Sequence, residues 1–291
     1  MDFGSRSFVL MLVLLSGVLC RQPEISPYRT RNVRVVFEDP GLRDLAQAAA
    51  NGQVERLTEI IRSGVPINGM GKVGITPLYW AFKHHNETGF ETLLKMGANP
   101  NLYLEDGTSF MVAFAEPIHD DEYEHDNIFF LKTALKYGGN PNLRSDPQRC
   151  PDVSPLIAAA TLGSSLKRID ILLDAGAEID YKTRGGNTAL FRAATLNQYH
   201  VVWHLIQRGA NFQAKTKSGK SLVTMVEKHL YWPPSEAKQK ENPIFKEHYE
   251  ARRKVIDFLR SKGYKFVAYE ENPENIKNAG KTKIKNYVYE E

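Results

Sequence analysis

The 291-residue chain is 42% hydrophobic and 25% charged, a balance that excludes a disordered polymer and leaves room for one or two globular domains. Its formal charge of +4, with acids and bases interspersed, is too small and too mixed to specify nucleic acid as a partner.

At the N-terminus Arg6 precedes the apolar run Phe8 to Leu15, and Ser16-Gly17-Val18-Leu19-Cys20 follows. This is the arrangement of a secretory signal peptide over residues 1–20, so the protein is expected to be exported. The run from Phe8 to Leu19 is too short to cross a bilayer as a stable helix. Cleavage after Cys20 would release a soluble chain beginning at Arg21. Alternatively, Cys20 resembles the lipidated cysteine of bacterial lipoproteins, although Gly17 and Leu19 depart from that family's pattern. Either exit leaves Cys150 as a lone cysteine with no internal disulfide, and its sequence neighbourhood lacks the histidine that would activate a nucleophile. Residues 21–40, with Pro23, Pro27 and Pro40 among Arg29, Arg31 and Arg34, read as an extended linker with a short strand over Arg34 to Phe37.

From Leu42 onward the chain reads as a series of two-helix units. The first runs from Leu42 to Asn68 and ends in Gly64-Val65-Pro66-Ile67-Asn68, but it lacks Thr-Pro-Leu at its start. Thr76-Pro77-Leu78 leads to Gly97-Ala98-Asn99, Ser154-Pro155-Leu156 to Gly176-Ala177-Glu178, and Thr188-Ala189-Leu190 to Gly209-Ala210-Asn211. The hydroxyl residue can cap the first helix and the glycine can take the left-handed conformation that ends the second. Between them, Ala193 and Ala194 allow close approach, while Val201, Val202, Leu205 and Ile206 recur at helical spacing. Starts at Thr76, Thr108, Ser154, Thr188 and Ser221 are separated by 32, 46, 34 and 33 residues.

On these residues the chain resembles the ankyrin-repeat family over about residues 41–266. The resemblance implies an all-α solenoid of about six helix-turn-helix repeats, whose core grows by stacking and whose terminal repeats are atypical. Two surplus segments fall between paired helices, Glu116 to Asp126 in the third repeat and Tyr231 to Pro243 in the sixth. Arg144 to Val153 lengthens the turn before the fourth. Beyond Phe266, residues 267–291 read as a polar tail.

No catalytic motif emerges. Gly107-Thr108-Ser109 lacks the setting of a nucleophile elbow, Gly219-Lys220-Ser221 lacks the spacing of a phosphate loop, and His200 with His204 lacks the glutamate of a metalloprotease helix. The expectation is therefore a protein that is not an enzyme, needs no cofactor or metal, and binds another protein. In the ankyrin family the partner-binding surface is formed by the starts of the inner helices and the adjoining turns. Here that implies Tyr79, Trp80, Met111, Phe191 and Arg192, with Trp80 and Arg192 the foremost exposed candidates. The insertion adds Asp120, Asp121, Glu122 and Glu124 as an acidic prong. Short exported ankyrin proteins are similar to bacterial immunity proteins, including those set against phospholipase effectors of the type VI secretion system. That similarity implies a periplasmic protein that neutralises a toxic secreted enzyme, or alternatively a periplasmic scaffold for oxidative-stress enzymes.

Overall fold

The computed structural model describes residues 31–116, 128–161, 166–230 and 243–266, which hold thirteen α-helices. Extended pairing among these residues is limited to a bridge between Tyr103 and Ser109. The chain divides into two compact units, Met1–Arg184 and Gly185–Glu291. In the first, α1 (Val33–Val36) leads into four helix pairs. These are α2 (Pro40–Ala50) with α3 (Val54–Arg62), α4 (Pro77–Lys83) with α5 (Glu87–Lys95), α6 (Phe110–Ala115) with α7 (Ile128–Lys136), and α8 (Pro155–Ala159) with α9 (Leu166–Asp174). The second unit pairs α10 (Ala189–Thr195) with α11 (Tyr199–Gln207), and α12 (Leu222–Leu230) with α13 (Pro243–Ser261). Inner helices pack on inner helices (α2 on α4, α6 on α8, α10 on α12), and outer on outer (α3 on α5, α5 on α7, α11 on α13). The expected all-α ankyrin architecture therefore holds within each unit.

The capping hydroxyls set where the inner helices begin. Thr76 Oγ1 accepts the N–H of Tyr79 at 3.3 Å, Ser154 Oγ that of Ile157 at 3.2 Å, and Thr188 Oγ1 that of Phe191 at 3.2 Å. Each satisfies one of the free donors of a helix N-terminus. In the third repeat this role belongs to Ser109 and not, as the spacing suggested, to Thr108. Ser109 Oγ accepts from Val112 N–H at 3.2 Å and donates to the Leu143 carbonyl at 2.8 Å. Thr108 lies in the preceding turn, its N–H bound to the Asp106 carboxylate at 2.8 Å. The expected strand at Arg34 to Phe37 is also corrected. Val33–Val36 is a single helical turn capped by Asn32, and Asp39-Pro40 then starts α2, with the aspartate accepting from Leu42 N–H at 2.7 Å.

Between repeats the polar turns are tied together by asparagines. Asn68 Oδ1 accepts the Asn99 N–H at 2.8 Å, and Asn101 Oδ1 accepts the Asn140 N–H at 2.7 Å while its Nδ2 donates to the Gly138 carbonyl at 2.9 Å. Asn142 repeats the pattern one unit on, accepting from Glu178 N–H at 2.8 Å and donating to the Gly176 carbonyl at 3.0 Å. Backbone bonds join neighbouring turns as well. Glu105 N–H reaches the Val73 carbonyl at 3.0 Å and Asp146 N–H the Gly107 carbonyl at 2.7 Å, with Lys217 N–H to Gly185 at 3.0 Å in the second unit. Such contact demands glycine at Gly186. Its φ is +79°, and a Cβ there would lie 2.8 Å from Lys217 N.

Residues 1–30, 117–127, 162–165, 231–242 and 267–291 lie outside the described residues. They contain the expected signal peptide, half of the linker, both insertions apart from Glu116 and Pro243, and the polar tail. Three substitutions test the repeat assignment by denaturant midpoints. Asn142→Ala removes two inter-repeat bonds and should cost about 1–3 kcal/mol, and Thr188→Ala about 0.5–2 kcal/mol. Gly209→Val meets no atom within 4 Å but holds φ at +92°, so backbone strain alone should cost about 1–3 kcal/mol. Midpoints at the wild-type value in all three would contradict the assignment.

Candidate protein-binding site

In each turn the residue two places after the ladder asparagine points away from the stitched backbone. These residues are Met70 after Asn68, Tyr103 after Asn101 and Arg144 after Asn142, all exposed. Met70 is 54% exposed and Tyr103 39%, against near-complete burial of the apolar side chains on the inner helices. A cleft of about 610 Å³ opens beside Tyr103 and is lined also by Asn140, Asn142, Arg144, Asp146 and Arg149. The lengthened turn Arg144 to Val153 forms one wall, and Arg149 braces it by donating to the Glu105 carbonyl at 3.2 Å.

Arg144 is held in position. Its guanidinium lies over the Tyr181 ring at 4.9 Å and donates to the Tyr181 hydroxyl at 2.9 Å. That hydroxyl in turn donates to Asp152 Oδ1 at 2.5 Å, and Asp152 Oδ2 accepts the Arg184 N–H at 2.8 Å. Burial, followed by the bond to Asp152, raises the Tyr181 pKa, so the phenol stays protonated and can serve both neighbours. An aromatic, a fixed arginine and amide groups around a cleft form a surface suited to grip a polypeptide.

The structure gives the expected partner-binding residues different roles. Trp80 is 1% exposed, Met111 0% and Phe191 8%, so all three are core and the expected exposure of Trp80 is corrected. The cause at Trp80 is the N-terminal turn, since Phe37 packs edge-on against the indole with ring centroids 5.9 Å apart. Tyr79 is half-buried in an aromatic cluster, 5.0 Å from the Phe110 ring and 5.5 Å from Phe82. Arg192 is half-buried on α10, and burial lowers its pKa. Asp120, Asp121, Glu122 and Glu124 lie outside the described residues. The finger row of Met70, Tyr103 and Arg144 escaped the sequence reading, although its signal was there in the recurring asparagine two residues upstream.

Cys150, expected as a lone thiol, is instead disulfide-bonded and 7% exposed. The chain's other cysteine, Cys20, lies outside the described residues.

Residues 123–216 match the family model described as ankyrin repeats (3 copies). Among curated proteins, the chain is 27% identical over 175 residues to palmitoyltransferase AKR1 of Lachancea kluyveri. The match takes in 60% of this chain but 22% of that protein, so the chain spans about a fifth of its relative's length. Among solved structures, it is similar to an ankyrin repeat domain from Acinetobacter baumannii AYE, with 23% identity and a TM-score of 0.52 over 63% of this chain and 90% of that one. It is also similar to a chain in the complex of the predatory endopeptidase Bd0816 from Bdellovibrio bacteriovorus with immunity protein Bd3460. There the identity is 20% and the TM-score 0.52, over 68% of this chain and 98% of that one. At these identities the likeness is one of fold. The fold is thus that of an ankyrin-repeat solenoid, and residues 123–216 are ankyrin repeats.

The titratable groups around the helices set a pH dependence. His84 is held below the usual imidazole value of 6.5 by burial and then by Lys83, Arg31 and His85, and His229 by burial and then by Lys228 and Arg252. Tyr199 lies 3.0 Å from His229 Nδ1, and burial raises its phenol. Both imidazoles therefore take up their protons at a lower pH in the folded chain than in the unfolded one. Their stability contribution is present above the usual value of 6.5 and lost as pH falls through the lower folded-state values. Glu116, pushed up to about 7 by burial and then by Asp106, has the opposite sign, its contribution being lost as pH rises through that value. Comparison with His229→Gln isolates the histidine. From pH 7 to 5, wild type should lose more unfolding free energy than the variant, and parallel pH curves would contradict the assignment.

Proposed function

We propose that the protein is exported and binds and neutralises a toxic secreted enzyme, as immunity proteins do, with a phospholipase-type effector of the type VI secretion system as its partner and the periplasm as its location. The observation that carries this reading is the finger row. Met70, Tyr103 and Arg144 are exposed on backbone that neighbouring turns hold in place, so little freedom is lost when a partner docks. The disulfide at Cys150 supports export, because such bonds persist in oxidising compartments. Likeness of fold to a chain in an endopeptidase–immunity protein complex supports an enzyme as the partner. An acidic prong at Asp120, Asp121, Glu122 and Glu124 would suit an enzyme that gathers positive charge around a phosphate.

The test uses the purified chain as bait against the secreted and periplasmic proteins of the source cell, followed by assay of the captured enzyme. One hydrolase should be retained and inhibited at saturation. Tyr103→Ala and Arg144→Ala should each weaken binding by about 10- to 30-fold, in the range of interface anchors. Replacing the four acids by Ser should slow association chiefly at low salt. Full activity of the captured enzyme at saturation would refute neutralisation. Wild-type affinity in both finger variants would remove the finger row as the site.

A further inference from the structure

The formal charge of +4 conceals an uneven division. Met1–Arg184 holds 19 lysines and arginines against 23 aspartates and glutamates, whereas Gly185–Glu291 holds 19 against 11, formal charges of −4 and +8. Three exposed lysines of the first unit meet acids: Lys72 lies 3.0 Å from Glu38, and Lys95 and Lys136 share Glu91 at 3.2 and 3.4 Å. In the second unit the turn after α11 presents Lys215, Lys217 and Lys220, and the end of α13 presents Lys262 and Lys265, all exposed. Among the described residues none of these five forms an ion pair.

The fold gathers the five. Phe212 packs edge-on against Phe258 of α13, with ring centroids 5.1 Å apart, and against Tyr264 at 6.5 Å, while Trp203 of α11 lies edge-on to Phe258 at 6.1 Å. This half-buried cluster seats the start of the lysine turn on the end of α13. Lys262 Nζ lies over the Phe258 ring at 5.5 Å, and Lys265 adjoins Tyr264 in sequence. The turn is itself fixed. Lys217 N–H donates to the Gly185 carbonyl at 3.0 Å, Thr216 N–H to the Lys220 carbonyl at 2.8 Å, and Lys220 N–H to Thr216 Oγ1 at 3.1 Å. Five like charges are thus mounted on one stitched turn and one helix end that touch, so their potentials add over one region.

We infer that the second unit docks on an anionic lipid surface through Lys215, Lys217, Lys220, Lys262 and Lys265. Lysine is a compact point charge, suited to the diffuse charge of lipid headgroups, whereas paired readout of a carboxylate or a base edge calls on the fork of arginine. The rings beside these lysines are spent on one another edge-on, so they do not form the stacking platform that single-stranded nucleic acid needs. A bilayer asks for no register between charges, and lysines divided between a turn and a helix end meet it without rearrangement. The inference is independent of the proposed function, whose finger row belongs to the first unit.

The test is sedimentation of the purified chain with vesicles of equal parts phosphatidylglycerol and phosphatidylcholine, compared with phosphatidylcholine alone, at low and high salt. The chain should bind the mixed vesicles, spare the neutral ones, and lose the difference as ionic strength rises. Each lysine removed should cost about 5-fold in affinity, so the triple variant Lys215→Gln, Lys217→Gln, Lys220→Gln should bind roughly 100-fold more weakly and the double variant Lys262→Gln, Lys265→Gln roughly 25-fold. The two sets are separate in sequence, so a folding defect in one, detected by its melting curve, leaves the other as the test. A control with Lys72→Gln, Lys95→Gln and Lys136→Gln lowers the net charge by as much as the triple variant and should bind within about 2-fold of wild type. Equal affinity for the two kinds of vesicle, wild-type binding by the second-unit variants, or an equal loss in the control would overturn the inference. Tighter retention of a single-stranded oligonucleotide than of the mixed vesicles, lost in the same second-unit variants, would overturn it in favour of nucleic acid.

Discussion

Everything in the described structure depends on how the turns between repeats satisfy their backbone polar groups. A turn projecting from a pair of short helices leaves backbone groups without partners inside its own repeat, and each hydrogen bond that meets one contributes about 0.5–1.5 kcal/mol net. Here the neighbouring repeat supplies them, through asparagine side chains at Asn68, Asn101 and Asn142 and through backbone bonds such as Asp146 N–H to the Gly107 carbonyl. No turn is stable alone, so the row within the first unit is held as a whole. Side chains mounted on that row inherit its rigidity. This is why exposed Tyr103 and Arg144 can act as anchors without first being ordered.

Much of the fold was legible because its signals are local. A hydroxyl before an apolar run caps a helix wherever it sits, and Thr76, Ser154 and Thr188 do so as their spacing implied. The reading slipped where two hydroxyl residues adjoin. Thr108 and Ser109 are equally good caps in sequence, and the choice falls to Ser109 because its hydroxyl also reaches the Leu143 carbonyl, a contact made across 34 residues. Exposure was harder to read than position. Trp80 occupies a place that faces outward in an isolated repeat, but Phe37 covers it, and nothing near Trp80 in sequence announces that the N-terminal turn folds back. The finger row was missed for the opposite reason. Met70, Tyr103 and Arg144 share no chemistry, and only the asparagine two residues before each relates them.

These two outcomes point the same way. The inner helices of the first unit, expected to present the binding face, are consumed by packing: α6 and α8 are buried at every residue, and Tyr79 belongs to an aromatic cluster with Phe82 and Phe110. What stays open is the row of turns, widened at the fourth repeat by the long segment that carries Arg149 and Cys150. The Arg144–Tyr181–Asp152 chain ties that segment to the turn that follows, where an aspartate carboxylate accepts the Arg184 amide in place of a backbone carbonyl. A lengthened turn would ordinarily be the least ordered part of a repeat protein. Here a charged side chain fixes it beside the cleft.

The central claim is that the turns of the first unit form one rigid row because each completes the hydrogen bonding of the next. Amide hydrogen exchange of the intact protein tests it most directly at Glu105, Asn140 and Asp146, whose N–H groups all bond to the preceding turn. Those three amides should be protected to about the same degree as amides within α5 and α7, opening only with the unit itself. Exchange at the rate of an exposed turn, with the helices still protected, would contradict the account.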